Sequence, residues 1–149
     1  MIQKAELNGQ CIALLQDRIA SITGLIEDAR NASNNDTKSS MGDKYETSRE
    51  MAQAEWNKLQ ERKGQIALQI HQLQQIQTES PHQKVAQGSL VITPTLQLLF
   101  AIPFGKFTFN GEPWMVVSLQ SPIGQAFAGK KNGEVVHFNQ TTFPIHHLE

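Results

Sequence analysis

The residues best placed to do chemistry are Asp43 and Glu46, in the stretch 39–50 (SSMGDKYETSRE). A helix starting beside them sets the two carboxylates three positions apart, within reach of one spot on its first turn. Such a pair offers hard oxygen ligands to a divalent cation, or a group that orients water. The same spacing also fits a capping box, with Asp43 as N-cap and Glu46 at N3 reaching back to the cap amide. The helix dipole then favours both charges and no chemistry follows. The readings are compatible, because capping uses only part of each carboxylate, and the local sequence leaves both open.

The segments on either side must position that pair, and both carry a helical pattern. From about residue 2 to 29, Leu7, Cys11, Leu14, Leu15, Ile19, Ile22, Leu25, Ile26 and Ala29 recur in steps of three and four, defining one apolar face. Gly24 interrupts it at a cost of about 1 kcal/mol relative to alanine. Residues 31–40 (NASNNDTKSS) are turn chemistry and are expected to end the first helix. A second helix is expected from about Asp43 to Thr78, with Ala52, Trp56, Leu59, Lys63, Ile66, Ile70 and Leu73 in heptad alternation. Lys63, at a core-type position, can extend its amine to solvent.

Helices of roughly 30 and 35 residues rise about 45 and 50 Å. Their short connection makes them antiparallel neighbours, a coiled-coil hairpin with its acidic tip near 40–47. Two helices alone bury little surface, so the hairpin (1–80) needs a second domain at its base. Ser80-Pro81 ends the second helix, since the residue before proline is pushed out of the helical region.

After a short linker (81–88) the pattern becomes strand-like, giving a β domain over 89–149. Runs at 89–93, 96–102, 106–110 and 114–119 are β-rich, and Asn110-Gly111 is a hairpin turn signal. Ser121-Pro122 and Gly129 bracket a helix of about two turns. Residues 135–138 and 142–147 close as another strand pair around Asn139-Gln140. The expected fold class is α+β, with an antiparallel helical hairpin followed by a small antiparallel sheet crossed by one short helix. Leu148-Glu149 resembles an expression-tag remnant and carries no expectation.

Composition removes several functions. The 149 residues carry a formal net charge of -1, so no excess of positive charge points to nucleic acid or an anionic membrane. Over 1–80, Lys and Arg number 9 against 11 Asp and Glu, so the hairpin is not a basic arm. Cys11 is the single cysteine; it permits no internal disulfide and no cysteine-built zinc site, and its place on the apolar stripe makes it a packing residue. No membrane-spanning run or signal peptide is read, and the cytoplasm is the default. His137 and the adjacent His146-His147 are poor metal candidates, because neighbours on a strand point to opposite faces.

The run 117–136 (VSLQSPIGQAFAGKKNGEVV) resembles the C-terminal domain of the bacterial Gre transcript-cleavage factors, GreA and GreB. The pattern there is a strand, Ser-Pro-(Ile/Leu)-(Gly/Ala), a short helix, Gly-Lys and a turn into another strand. That family also carries Gly-Asp-x-x-Glu at the apex of an N-terminal coiled coil, matched here by Gly42-Asp43-Lys44-Tyr45-Glu46 at a similar separation from the Ser-Pro motif. After its glutamate the family usually continues Asn-Ala-Glu-Tyr, where this chain has Thr47-Ser48-Arg49-Glu50. The stretch 88–110 is shorter and more apolar than its counterpart.

The resemblance implies an FKBP-like C-terminal domain that docks beside the secondary channel of RNA polymerase while the coiled coil enters it. It assigns Asp43 to the polymerase's second Mg²⁺ and Glu46 to that ion or to the attacking water. Backtracked RNA is then cut near its 3′ end by the polymerase. On this reading the chain is an accessory factor rather than an enzyme, with no cofactor of its own, no small-molecule substrate and no membrane partner. Tyr45, Lys44 and Arg49 become contacts to RNA or polymerase, or else solvated apical side chains. Ser121 and Pro122 become part of the polymerase contact, or simple helix initiators.

Three alternatives stand beside it. One is a channel-binding regulator or inhibitor without cleavage activity. Another is a prolyl isomerase or chaperone built on Phe104, Phe107, Phe109 and Trp114, residues equally explained as hairpin and core. The third is a coiled-coil adaptor with no tip chemistry.

Overall fold

The computed structural model describes residues 4–36, 42–78 and 81–149, and the side chains of 32–45 lie outside that description. Two long helices come first, α1 (Lys4–Asp36) and α2 (Gly42–Gln74). A β region follows with β1 (Leu90–Ile92), β2 (Gln97–Phe100), β3 (Gly105–Phe109), β4 (Glu112–Val117), α3 (Pro122–Phe127), β5 (Val135–Phe138), β6 (Thr141–Pro144) and β7 (His147–Leu148). The α+β class and the helix pair ahead of a β domain with one short helix are as expected.

The helices pack as an antiparallel hairpin. Early α1 meets late α2, where Asn8 Nδ2 donates to Leu73 O at 2.8 Å, while later α1 residues share a cleft with Arg62 and Ile66. Leu7, Cys11, Leu15, Ile22 and Ile26 are buried on α1, and Ile66 and Leu73 on α2. Ala52, Trp56, Leu59, Lys63 and Ile70 are half-buried on the same α2 stripe. The heptad reading of α2 therefore describes its packed face.

Two helix ends differ from expectation. α1 continues through NASNND to Asp36, because asparagine, serine and aspartate each cost only about 0.7 kcal/mol or less inside a helix already propagating. α2 stops at Gln74, ahead of the expected Thr78. There Gln75 N shares the carbonyls of His71 and Gln72, and Ile76 N donates to Leu73 O at 3.3 Å, a tightened final turn.

The chain divides into two compact units, residues 1–12 with 71–149, and residues 13–70. The first holds the β region. Its five-stranded sheet has the order β3-β4-β2-β1-β7, and β5 and β6 form a separate two-stranded sheet. The expectation of a wholly antiparallel sheet is corrected at β2 and β4, which pair in parallel, Leu99 opposite Val116. That pairing joins distant segments, and no local turn signal announces it.

Val91, Leu98 and Phe100 point to one face, where Phe127, Val136, Phe143 and Ile145 join them. Phe127 packs on Phe100 and Phe143 at ring-centroid distances of 5.5 and 6.0 Å. Leu90, Leu99, Trp114 and Val116 point to the other face and are also buried. Burial on both faces is why 98–102 reads as a continuous apolar run rather than an alternation.

Both tight hairpins use two-residue loops. Asn110 and Gly111 sit at φ 52° and 77°, and Asn139 and Gln140 at 49° and 63°, the paired positive φ values of a type I′ turn. Two stretches given no packing role take part in the sheet core. Val85, within 81–88, is buried and exchanges backbone hydrogen bonds with the 129–130 segment. Leu148 pairs with Val91 and is buried, and Glu149 exchanges hydrogen bonds with Leu90, so both residues take part in the sheet.

Candidate functional site

The candidate site is the closed end of the hairpin in the 13–70 unit. α1 ends at Asp36 and α2 opens at Gly42, so Asp43 and Glu46 occupy the first turn of α2 and the one after it. Helical backbone over both positions makes them neighbours on its surface, as the i, i+3 spacing requires. Glu46 is exposed. The side chains of Asp43, Lys44 and Tyr45 lie outside the described residues, as do residues 39–41 of the tip. Arg49 is exposed on the next turn of α2.

A two-carboxylate pair supplies too few ligands for a magnesium or calcium ion by itself. Among the described residues no group of three or more His, Cys, Asp or Glu is gathered for a metal. His137 and His146 are exposed on the β region, and His147 Nε2 contacts Glu149 Oε1 at 3.1 Å.

Ser121 and Pro122 belong to the other unit, where their local geometry is fully formed. Ser121 caps α3: its Oγ accepts from Gly124 N at 3.1 Å and donates to Ser118 O at 2.6 Å. Pro122 occupies the first helical position, where its missing N–H costs nothing. Gly124 is required by close approach, since a Cβ there would collide with the carbonyl oxygens of Ser118 and Leu119. Gly129, at φ 77°, follows the Ala128 C-cap. The motif's Ser, Pro and Gly are thus explained as a tight strand-to-helix turn, which leaves Pro122 exposed at its surface.

The aromatic residues weighed for an isomerase pocket pack on one another. Phe104 meets Phe107 edge-on at 5.9 Å, Phe107 lies 6.5 Å from Phe109, and Phe109 and Trp114 are buried. They act as hairpin and core residues.

Sequence reasoning missed a polar cluster at the base of α1. Lys4 and Asn8 are buried, and Lys4 Nζ lies 3.4 Å from His82 Nδ1, which is itself 3.4 Å from Glu149 O. Burial lowers the Lys4 ammonium below the usual lysine range, opposed in part by the charge of Glu149. The signal was present in the spacing: positions 4, 8, 11 and 15 continue the buried stripe toward the N-terminus. Cys11, on that stripe, has its thiol pushed up to about 12 by burial, which makes it inert at neutral pH.

No protein-family model matches the chain, and no curated protein matches it in sequence. Among solved structures it is similar to the crystal structure of GreA factor homolog 1 (Gfh1) of Thermus thermophilus. The identity is 16%, the match covers 93% of this chain and 94% of that one, and the TM-score is 0.35.

Proposed function

We propose that the chain is an accessory factor of RNA polymerase that acts through the secondary channel and stimulates the polymerase's own cleavage of backtracked RNA. The observation that carries this reading is Gly42-Asp43-Lys44-Tyr45-Glu46 opening α2 at the closed end of a helical hairpin, with Glu46 exposed. The hairpin sits in a chain that also bears the Ser-Pro-Ile-Gly turn characteristic of Gre factors. The 13–70 unit takes the two helices roughly 35 Å from the unit boundary to their closed end, at 1.5 Å per residue, a reach suited to an enclosed active centre.

In this account Asp43 supplies an oxygen ligand to the weakly held metal position of the polymerase. Glu46 shares that ligation or accepts a hydrogen bond from the attacking water. A second Mg²⁺ bound there lowers the pKa of its water and stabilises charge in the in-line displacement. The β region, with Pro122 exposed at the α3 turn, serves as the docking platform, and Tyr45 and Arg49 contact RNA or polymerase beside the tip.

The test is a stalled, backtracked elongation complex in Mg²⁺. Added protein is expected to shorten the transcript from its 3′ end, and a transcript left intact by bound protein overturns cleavage. That second outcome defines the rival, a channel-binding regulator without cleavage activity. The rival is favoured by Thr47-Ser48-Arg49-Glu50, where Gre factors usually have Asn-Ala-Glu-Tyr.

A further inference from the structure

His82 Nδ1 stands between two groups that make opposite demands on it. Lys4 Nζ on α1 lies 3.4 Å away, and Glu149 O, just past β7, lies at the same 3.4 Å. An ammonium only donates a hydrogen bond and a main-chain oxygen only accepts one. Nδ1 must therefore be bare to meet Lys4 and must carry a proton to meet Glu149. All three residues belong to one compact unit, where Lys4 is buried along with Leu7 and Asn8 of the same helix end.

We propose that His82 is a proton-driven latch at the root of α1: neutral, it holds Lys4 through a bare Nδ1, and protonated, it turns that nitrogen to Glu149 O and releases Lys4. Histidine is the side chain that ordinarily changes charge between about pH 5 and 8. An imidazolium so close to an ammonium repels it, and most strongly where water is excluded. The surroundings leave the choice with His82. Its ring borders a cleft of about 230 Å³ whose other described lining, Gln72, Gln75, Ile76, Gln77 and Gln87, carries no charge. Among the described residues, the titratable groups in contact with the ring or its partners are Lys4, Glu149 and His147, the last 3.1 Å from the Glu149 carboxylate. That carboxylate favours the charged Lys4, but burial opposes the charge more strongly, so an ammonium that loses Nδ1 is driven toward water. The first turns of α1 then open with it while the β strands keep their pairing. The latch belongs to the root of α1 and does not depend on the polymerase reading.

The test is amide hydrogen exchange of the full chain at about pH 5.5 and about pH 8, near the two ends of the ordinary histidine range, with rates corrected to protection factors. Protection of residues 8–12 is expected to fall at least about tenfold at the lower pH, with β1 and β2 unchanged. His82→Asn supplies a carboxamide that donates and accepts at either pH, and is expected to remove the response. Lys4→Met, which removes the repelled charge, is expected to remove it as well. His147→Gln is expected to leave it in place. Equal protection at the two pH values overturns the proposal. So does a fall that persists in His82→Asn or Lys4→Met, one that disappears in His147→Gln, or one shared equally by β1 and β2.

Discussion

Asn8 on α1 and Leu73 on α2 are joined by a 2.8 Å hydrogen bond from the Asn8 amide to the Leu73 carbonyl, with the asparagine buried. The bond adds a second, shorter donor to a carbonyl near the end of α2 that otherwise accepts only from Ile76 N at 3.3 Å. Asn8→Ala removes that cross-helix bond and leaves the weaker one. Chemical denaturation is expected to show a loss of about 0.5–1.5 kcal/mol.

Gly124 carries a stricter demand. Any Cβ there meets the carbonyls of Ser118 and Leu119, and neither backbone can retreat without breaking the α3 cap. Gly124→Ala is expected to cost at least about 3 kcal/mol, whereas Ser121→Ala, which removes only the cap oxygen, should cost about 1 kcal/mol. Thermal melts of the two variants side by side check the order.

Much of the β region was legible because its turns are written in local chemistry. Asn110-Gly111 and Ser121-Pro122 specify their geometry within two or three residues, and both formed as read. The parallel β2–β4 pair was hidden because Leu99 and Val116 are separated in sequence by the whole of β3 and its hairpin turn, with nothing nearby to mark register. Periodicity alone also made the α1 stripe too wide. It grouped Leu14 and Leu25 with the seam, although a helix facing one partner buries only one line of the two. At the tip, the sequence supplied the carboxylate pair and its spacing, and the helical backbone of α2 adds a reason they are neighbours.

Cys11 is expected to resist alkylation in the folded protein, because burial raises its thiol from 9.0 to about 12. The folded state therefore favours the neutral thiol. Its contribution is full below the unfolded thiol's pKa and is lost as pH rises from there through the folded value. Iodoacetamide labelling at neutral pH should proceed only at the rate of unfolding. Cys11→Ala should remove this component of alkaline destabilisation.

Lys4 works in the opposite direction. Burial depresses its pKa, so the folded state favours the neutral amine, and the charged form costs stability at neutral pH. That cost is relieved as pH rises through the folded pKa toward the unfolded lysine value. Lys4→Met is expected to raise the melting temperature by a few degrees at pH 7. The advantage should shrink as pH rises toward the ordinary lysine value and be gone above about pH 10.4.

The central claim is that Asp43 and Glu46 act together on a metal held by another molecule. The most direct measurement is the rate of transcript cleavage in a backtracked complex as Mg²⁺ is titrated, comparing wild type with Asp43→Asn and Glu46→Gln, with polymerase binding measured separately. Both variants are expected to bind as wild type does and to cut roughly a hundredfold more slowly, with the Asp43 variant needing more Mg²⁺. Wild-type cleavage rates in both variants, at matched occupancy of the polymerase, would contradict the account.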